Sequence, residues 1–425
     1  MQRYLLSKQL NKELNIRFHF YFTSLLAFLL PIYPPLIPPA IALLVINWIA
    51  GGNFIRLFKN SQSKFYFFLF ISLYLLYCTG LIYSENKEYG LKDLETKLSL
   101  LLFPIVYFSS EKLNAEKIRS LFAAFTYGCA AAALLCFGNA VYQYFHVKYL
   151  LAQNIWAYNY GINFFLKDRI SAWMHPSYIS MYFAMALYSI YFFRKENADS
   201  SIWKKYFIPA VLSVFILLFN SKAGILSLFL LGSYICWQLI VKERKFKLAA
   251  LIITSALSLF SVLYFTAPEF EARIKGVFNS FSPDTNIKTS EESTASRIAI
   301  WKAAKIVISE NFLTGTGTGD VKDELINEYK KEEMTFALQQ NLNAHSQFLQ
   351  TFAAIGIAGF FSLFAALFIP LFREWKKQNS LYIVFLLLMI LNLLAESMFE
   401  TQAGVVFYAF FNSLLLFSHE PAPKA

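Results

Sequence analysis

The chain has 425 residues, of which 57% are hydrophobic, 18% aromatic and only 15% charged. Soluble domains carry about 25% charged residues, so this composition excludes an ordinary soluble protein and indicates an integral membrane protein. The net charge of +11 does not indicate a nucleic-acid partner, because the basic residues are divided among short loops between apolar runs, as in the cytoplasmic loops of membrane proteins.

The apolar runs predict an all-α, polytopic membrane protein with about twelve transmembrane helices. Every second short loop is basic, which predicts that both termini face the cytoplasm. The runs cover residues 18–34, 36–50, 65–83, 97–109, 119–145, 178–194, 206–220, 224–241, 248–267, 346–371, 381–396 and 403–418.

Three regions follow from this pattern. Residues 1–267 hold nine transmembrane helices with short loops, residues 268–345 form a large loop on the non-cytoplasmic face, and residues 346–425 hold the last three helices and a cytoplasmic tail. Within the loop, residues 293–311 predict an amphipathic helix. Residues 320–334 predict a second helix, capped by Asp320.

Two features of the sequence carry no chemistry in our interpretation. The glycines that follow the amphipathic helix lack the spacing and the Gly-Lys pair of a nucleotide-binding loop, and they predict only a turn: Gly315, Gly317 and Gly319. The four cysteines lie in apolar runs without zinc-site spacing, so we expect no metal, disulfide framework or cofactor: Cys78, Cys129, Cys136 and Cys236.

His345 and Arg297 are the first candidates for catalysis. His345 stands where the polar loop meets an apolar run, and a neutral imidazole at this boundary suits a general base. A simple cap at the membrane interface is the alternative. Arg297 lies in the first turn of the amphipathic helix, where its guanidinium suits bidentate binding of phosphate oxygens. A solvated surface arginine is the alternative.

Lys222 lies between two apolar runs on the same predicted face. A charge so close to hydrocarbon is costly and indicates function, although a lysine that extends to the interface is the alternative. Arg169 and His175 precede the run 178–194 on that face. Because proline is favoured at the first position of a helix, His175 before Pro176 also fits a simple helix start.

Glu396 and Glu400 lie between the last two apolar runs, again on the non-cytoplasmic face. We expect them to support the site by pairing with Lys222 or an arginine, or by orienting a histidine.

These elements together resemble the O-antigen ligase and polymerase superfamily. That family has a periplasmic loop with an Arg-x-x-x-Trp helix and a glycine turn, followed by a histidine that opens a glycine-containing helix. The positions that carry the resemblance are Arg297, Trp301, Asn311–Gly317, His345, Gly356 and Gly359. The family often has Ser-Arg-x-Gly where this chain has Ser221-Lys222-Ala223-Gly224.

The resemblance implies an enzyme of lipopolysaccharide biosynthesis in the bacterial inner membrane. It implies glycan transfer from a polyprenyl-diphosphate carrier, such as undecaprenyl diphosphate, to lipid A-core on the periplasmic face, without metal or nucleotide. His345 would be the base, and Arg297, Lys222 and Arg169 would bind the diphosphate. Direct displacement of the diphosphate would invert the anomeric centre.

Other functions remain open from the sequence. In a polymerase the acceptor would be a second lipid-linked repeat unit, and in a protein O-oligosaccharyltransferase it would be a protein hydroxyl. A transporter or flippase also fits twelve spans. Transporters usually keep ionisable residues or broken helices near mid-membrane, and most runs here lack charges away from their ends.

Overall fold

The computed structural model describes residues 2–55, 64–152, 163–171, 173–194, 201, 203–266, 268–282 and 286–418. The described residues form helices and loops without a β-strand, which confirms the predicted all-α class. The predicted cytoplasmic tail beyond residue 418 lies outside the described residues.

Eighteen α-helices are connected by short loops and by single turns of 3-10 or π-helix within the described ranges. They are α1 (Gln2–Leu29), α2 (Ile37–Ala50), α3 (Lys64–Tyr83), α4 (Lys87–Lys97), α5 (Ser99–Ser109), α6 (Ala115–Ala152), α7 (Lys167–Ile170), α8 (Pro176–Phe192), α9 (Ile208–Leu218), α10 (Lys222–Trp237), α11 (Phe246–Thr266), α12 (Pro268–Asn279), α13 (Ser293–Glu310), α14 (Val321–Lys331), α15 (Thr335–Gln339), α16 (Gln347–Lys377), α17 (Ser380–Ala395) and α18 (Gln402–Ser413).

Five helical segments within the described ranges are long and apolar enough to cross a membrane. They are Lys64–Tyr83, Ala115–Tyr149, Lys222–Lys242, Phe246–Thr266 and Gln347–Lys377. Four further apolar helices have between 10 and 17 residues, which is shorter than the roughly 20 needed for an untilted span. Each predicted run overlaps a helix, but the number of twelve spans and the sidedness of the large loop stay predictions.

The apolar helices pack around α8 and α18. Every residue of α8 from Pro176 to Ala186 is buried, and this helix contacts α6, α9, α10 and α17. Helix α18 is buried from Gly404 to its end and packs on α5. Helix α11, by contrast, is mostly exposed and apolar, as a lipid-facing helix would be.

Helix α16 is interrupted at Ile355 and Gly356, where the backbone leaves helical geometry. The glycine loop after α13 fills this break. Thr316 N–H donates to Ala353 O at 2.8 Å, Gly317 N–H to Ala354 O at 2.9 Å, and Ile357 N–H to Phe312 O at 3.1 Å. The loop therefore supplies the backbone hydrogen bonds that the break removes from the helix.

This break explains why glycines stand on both sides of the contact between α16 and the loop. Gly356 has φ +63°, and a side chain there would meet Leu313 O at 2.2 Å. A side chain at Gly315 would meet the Ala354 carbonyl at 2.5 Å. Gly356 therefore serves the kink in α16 and the loop that docks into it.

The prediction that Asp320 caps its own helix is wrong. Asp320 precedes α14 but makes no side-chain cap there. Its two carboxylate oxygens accept instead from the backbone N–H groups of Glu85 and Asn86, at 2.8 and 2.7 Å. The carboxylate thus joins the large loop to the segment that opens α4.

Candidate active site

Glu396, the residue after α17, connects the two predicted catalytic residues. Its Oε1 accepts from Arg297 Nη2 at 2.6 Å and from Ser177 Oγ at 3.2 Å. Its Oε2 lies 3.1 Å from His345 Nδ1. The carboxylate is 6% exposed, while the side chains of Arg297 and His345 are 19% and 23% exposed. The carboxylate is therefore buried, whereas the two side chains that it holds are partly exposed and accessible to a substrate.

The charge of Glu396 is fixed by its neighbours. Burial alone would raise the pKa of this carboxyl, but the hydrogen bond with His345 and the charge of Arg297 lower it to about 2. An ionised carboxylate can only accept hydrogen bonds. Nδ1 of His345 therefore donates to Glu396, so Nε2 is the ring nitrogen on which a proton from a substrate could be taken up.

His345 is held by its backbone as well as by its ring. It has φ +44°, a conformation that is uncommon for residues other than glycine and that often marks functional sites. Its N–H donates to Asn343 Oδ1 at 3.0 Å, and its carbonyl accepts from Trp301 Nε1 at 3.3 Å. The Arg-x-x-x-Trp spacing thus places two residues of α13 at the site: Trp301 contacts His345, and Arg297 contacts Glu396.

Gln347, two residues after the histidine, fixes the segment that carries Glu396. Its backbone N–H donates to Glu396 O at 3.2 Å. Its side-chain Oε1 accepts from Phe399 N–H at 2.6 Å, and its Nε2 donates to Thr351 Oγ1 at 3.1 Å. Because Gln347 is buried with no exposed surface, it ties the start of α16 to the turn after α17.

A second group of charges lies beside Arg297. Lys222 Nζ contacts Glu292 Oε1 and Thr294 Oγ1, both at 2.5 Å. Arg273 of α12 donates through Nη2 to Asn220 O, just before Lys222. Lys222, Arg273 and Arg297 are close enough for their positive charges to repel one another. We name these three residues the cation cluster.

Glu292 organises the cation cluster. It is the N-cap of α13, accepting from the N–H groups of Thr294 and Ala295 at 2.6 and 3.0 Å, and it accepts from Ser280 Oγ at 2.6 Å. Burial opposes its ionisation, but the hydrogen bonds from Lys222, Ser280 and the backbone lower its pKa to about 2. The cation cluster is thus held next to the ionised carboxylate of Glu292.

Arg273 is the functional candidate that the sequence analysis missed. Burial lowers its pKa, Glu292 raises it and Arg297 lowers it, with a net decrease, although an arginine stays charged at any ordinary pH. The Nε atoms of Arg273 and Arg297 are both buried, and neither has a hydrogen-bond partner among the described residues. Two arginines on neighbouring loop helices therefore keep donors available.

The remaining predicted residues have different surroundings. His175 caps α8, with its Nδ1 accepting from Ser177 N–H at 3.3 Å. Ser177 Oγ lies 3.1 Å from Ser221 Oγ, which links this helix start to Lys222. Arg169 in α7 is exposed, and none of the described hydrogen bonds or ion pairs joins it to the cation cluster.

Glu400 forms a separate buried cluster. It lies 2.8 Å from Lys97 Nζ, and Lys97, with no exposed surface, also pairs with Asp93. The ammonium sits 4.8 Å from the centre of the Tyr77 ring. Burial raises the pKa of Asp93, Lys97 lowers it and Glu400 raises it, to a net value of about 7. Glu400 therefore anchors the turn that carries Glu396 and does not contact His345 or the cation cluster in the described structure.

Comparison with known proteins gives a family match over part of the chain. Residues 207–364 match the family model described as O-antigen ligase. The matched segment contains Lys222, Arg273, Arg297 and His345, whereas Glu396 lies outside it.

One relative of similar length has no described function. An uncharacterized protein of Haemophilus influenzae is 21% identical over 381 residues, which cover 85% of this chain and 87% of the relative. The segment that carries four of the five residues described above is therefore similar to the O-antigen ligase family.

Proposed function

We propose that the protein is a glycosyltransferase that moves a glycan from a polyprenyl-diphosphate carrier to a hydroxyl of lipid A-core, as an O-antigen ligase does. One observation carries the proposal: Glu396 contacts both His345 and Arg297, so a base and an anion binder are held on one carboxylate. The family match supports the substrate class.

In this proposal the cation cluster binds the diphosphate. Lys222, Arg273 and Arg297 bring three positive charges, and Glu292 and Glu396 bring two negative ones. The excess charge and the two unpartnered Nε atoms suit an anion with several acceptor oxygens. Such cations stabilise the charge that develops on the departing group.

The chemical step needs only one proton transfer. His345 Nε2 takes the proton of the acceptor hydroxyl while the hydroxyl oxygen forms a bond to the anomeric carbon. The bond from that carbon to the phosphate oxygen breaks, and its electron pair leaves with the polyprenyl diphosphate. In-line displacement inverts the anomeric centre, and the diphosphate leaves without a metal ion or nucleotide.

The broken helix α16 is the one observation that favours a transporter, because transport sites are often built from interrupted helices. In transporters the freed backbone groups bind substrate or ions. Here Ala353 O, Ala354 O and Ile357 N–H are bonded to the glycine loop. The break therefore supports a fixed scaffold next to His345 in preference to an ion site.

We place the site on the periplasmic face of the inner membrane, on the basis of loop charge. Labelling of single cysteines in intact spheroplasts tests this orientation. Thr289→Cys in the large loop should react with a membrane-impermeant reagent. Lys112→Cys, in the loop between α5 and α6 that is predicted to be cytoplasmic, should not react. Both positions are exposed, and the reverse pattern would contradict the orientation.

Transfer in vitro tests the choice of acceptor. The full-length protein should transfer glycan from a purified lipid-linked donor to lipid A-core and release polyprenyl diphosphate, with EDTA present. Transfer to a second lipid-linked unit instead would identify a polymerase, and transfer to a peptide hydroxyl would identify a protein O-oligosaccharyltransferase. No transfer to any acceptor, with a donor that is bound, would contradict the proposal.

A further inference from the structure

A cavity lies far from the candidate active site. Helix α8 begins beside Glu396, through Ser177, and ends at Phe192. Its 17 residues span about 25 Å at 1.5 Å per residue. A cavity of about 360 Å³ lies at this far end, between α8, α6 and the start of α9. The cavity therefore lies at the end of α8 that points away from Glu396.

Three cations line this cavity: Arg119 of α6, Arg194 after α8 and Lys205 before α9. Arg194 is fixed, because it pairs with Glu243, donates to Tyr191 O at 2.8 Å and stacks 3.8 Å from the centre of the Tyr191 ring. In the described part of the chain, Arg119 and Lys205 form no ion pair. Among the described contacts, therefore, two of the three charges are not used in ion pairs, and these two suit an external anion.

Much of the remaining cavity wall is apolar and is formed by Phe122, Leu187 and Ile208. At the back, the hydroxyls of Thr126 and Ser189 lie 3.2 Å apart and bond to their own helix carbonyls. A soluble anion would use only the cations. A phospholipid would contact both the cations and the apolar wall, because its phosphate binds the cations while its glycerol and upper acyl chain pack on the apolar residues.

We propose that this cavity binds the headgroup of an anionic phospholipid of the leaflet opposite the active site. Basic pockets between transmembrane helices bind such headgroups, and each lysine or arginine near the ligand contributes several-fold to affinity. The site is independent of the glycan-transfer chemistry, since none of the residues that line the cavity contacts Glu396, His345 or the cation cluster among the described contacts.

Lipid titration of the full-length protein in a neutral detergent tests the site. Native mass spectrometry counts bound phosphatidylglycerol, with phosphatidylcholine as the uncharged reference lipid. The double variant Arg119→Gln, Lys205→Gln should lose about tenfold or more in phosphatidylglycerol affinity. Lys112→Gln removes an exposed lysine from the adjacent loop and should leave the affinity within about twofold of the wild type.

The outcomes separate the possible sources of binding. Equal phosphatidylglycerol affinity in the wild type and the double variant would overturn the site. An equal loss in Lys112→Gln would reduce the binding to general surface charge and would also overturn it. Soluble glycerol phosphate should fail to displace the lipid at millimolar concentration, and full displacement would identify a site for a soluble anion instead of a lipid.

Discussion

Glu396 Oε2 lies 3.1 Å from His345 Nδ1, a contact between the turn after α17 and the strained residue before α16. The other oxygen of the carboxylate holds Arg297. One buried anion thus orients both the proposed base and a diphosphate ligand, so changes at Glu396 are expected to alter the reaction more than the binding of the donor.

Glu396→Gln is expected to lower kcat about 10- to 100-fold, the range known for carboxylates that orient metal-bound histidines. The amide keeps the size of the side chain but no longer fixes the proton on Nδ1. The KM for the donor should stay the same or fall, because Arg297 is released toward the diphosphate. Steady-state kinetics separate the two constants, and an unchanged kcat would exclude a positioning role.

Arg273→Ala is expected to weaken donor binding about tenfold or more, because a charged hydrogen bond contributes roughly 1.5 to 3 kcal/mol. Lys275→Ala is the matched control, since Lys275 lies on the same helix, is exposed and pairs with Glu271. Lys222→Ala should also lose transfer, and Lys222→Arg should retain much of it. Donor affinity is measured by titration of each purified variant, and equal losses for Arg273 and Lys275 would contradict a specific site.

Gly356→Ala is expected to destabilise the protein by more than about 2 kcal/mol. An alanine at φ +63° is strained, and its Cβ would displace the loop carbonyl of Leu313. Gly232→Ala is the control, because a side chain there meets nothing within 4 Å and should be neutral or slightly stabilising. Thermal unfolding in detergent measures both variants, and equal stability would show that the docked loop is not needed.

Lys97→Met is expected to cost about 3 to 5 kcal/mol, since it leaves Asp93 and Glu400 buried without a cation. Asp93→Asn behaves differently. The pKa of Asp93 is about 7, above its unfolded value, so stability falls as pH rises from about 4 to 7. Asparagine cannot ionise, so the variant should not lose stability in this way as the pH rises. At pH 8 Asp93→Asn should unfold at the same or a higher temperature than the wild type, and a lower temperature would contradict the shifted pKa.

The sequence predicted the helical class, and it singled out two residues that the structure places beside one carboxylate in the candidate site. His345 stands at a sharp change from polar to apolar sequence, and Arg297 shares a helix with Trp301 at a spacing that places both on one side. Such patterns can be recognised because the residues that form them are close together in the sequence. The third member, Glu396, was expected only as one of two supporting carboxylates, because its partners lie 51 and 99 residues away.

Other features depend on tertiary contacts that no local pattern reveals. Arg273 lies between Glu271 and Lys275 on an amphipathic helix and has the sequence context of a surface residue. Lys97 stands at the edge of an apolar run, and only folding brings Glu400 to it. The break in α16 was not expected, because Gly356 in an apolar helix predicts close helix packing as readily as a kink.

The most direct test of the account is single-turnover glycan transfer by His345→Ala, measured beside its affinity for the lipid-linked donor. We expect the rate to fall by about 10²-fold or more while donor affinity stays close to the wild-type value. Asn341→Ala, at an exposed position with φ +48° in the same segment, controls for backbone strain and should transfer normally. Transfer by His345→Ala at the wild-type rate would contradict the assignment of His345 as the base.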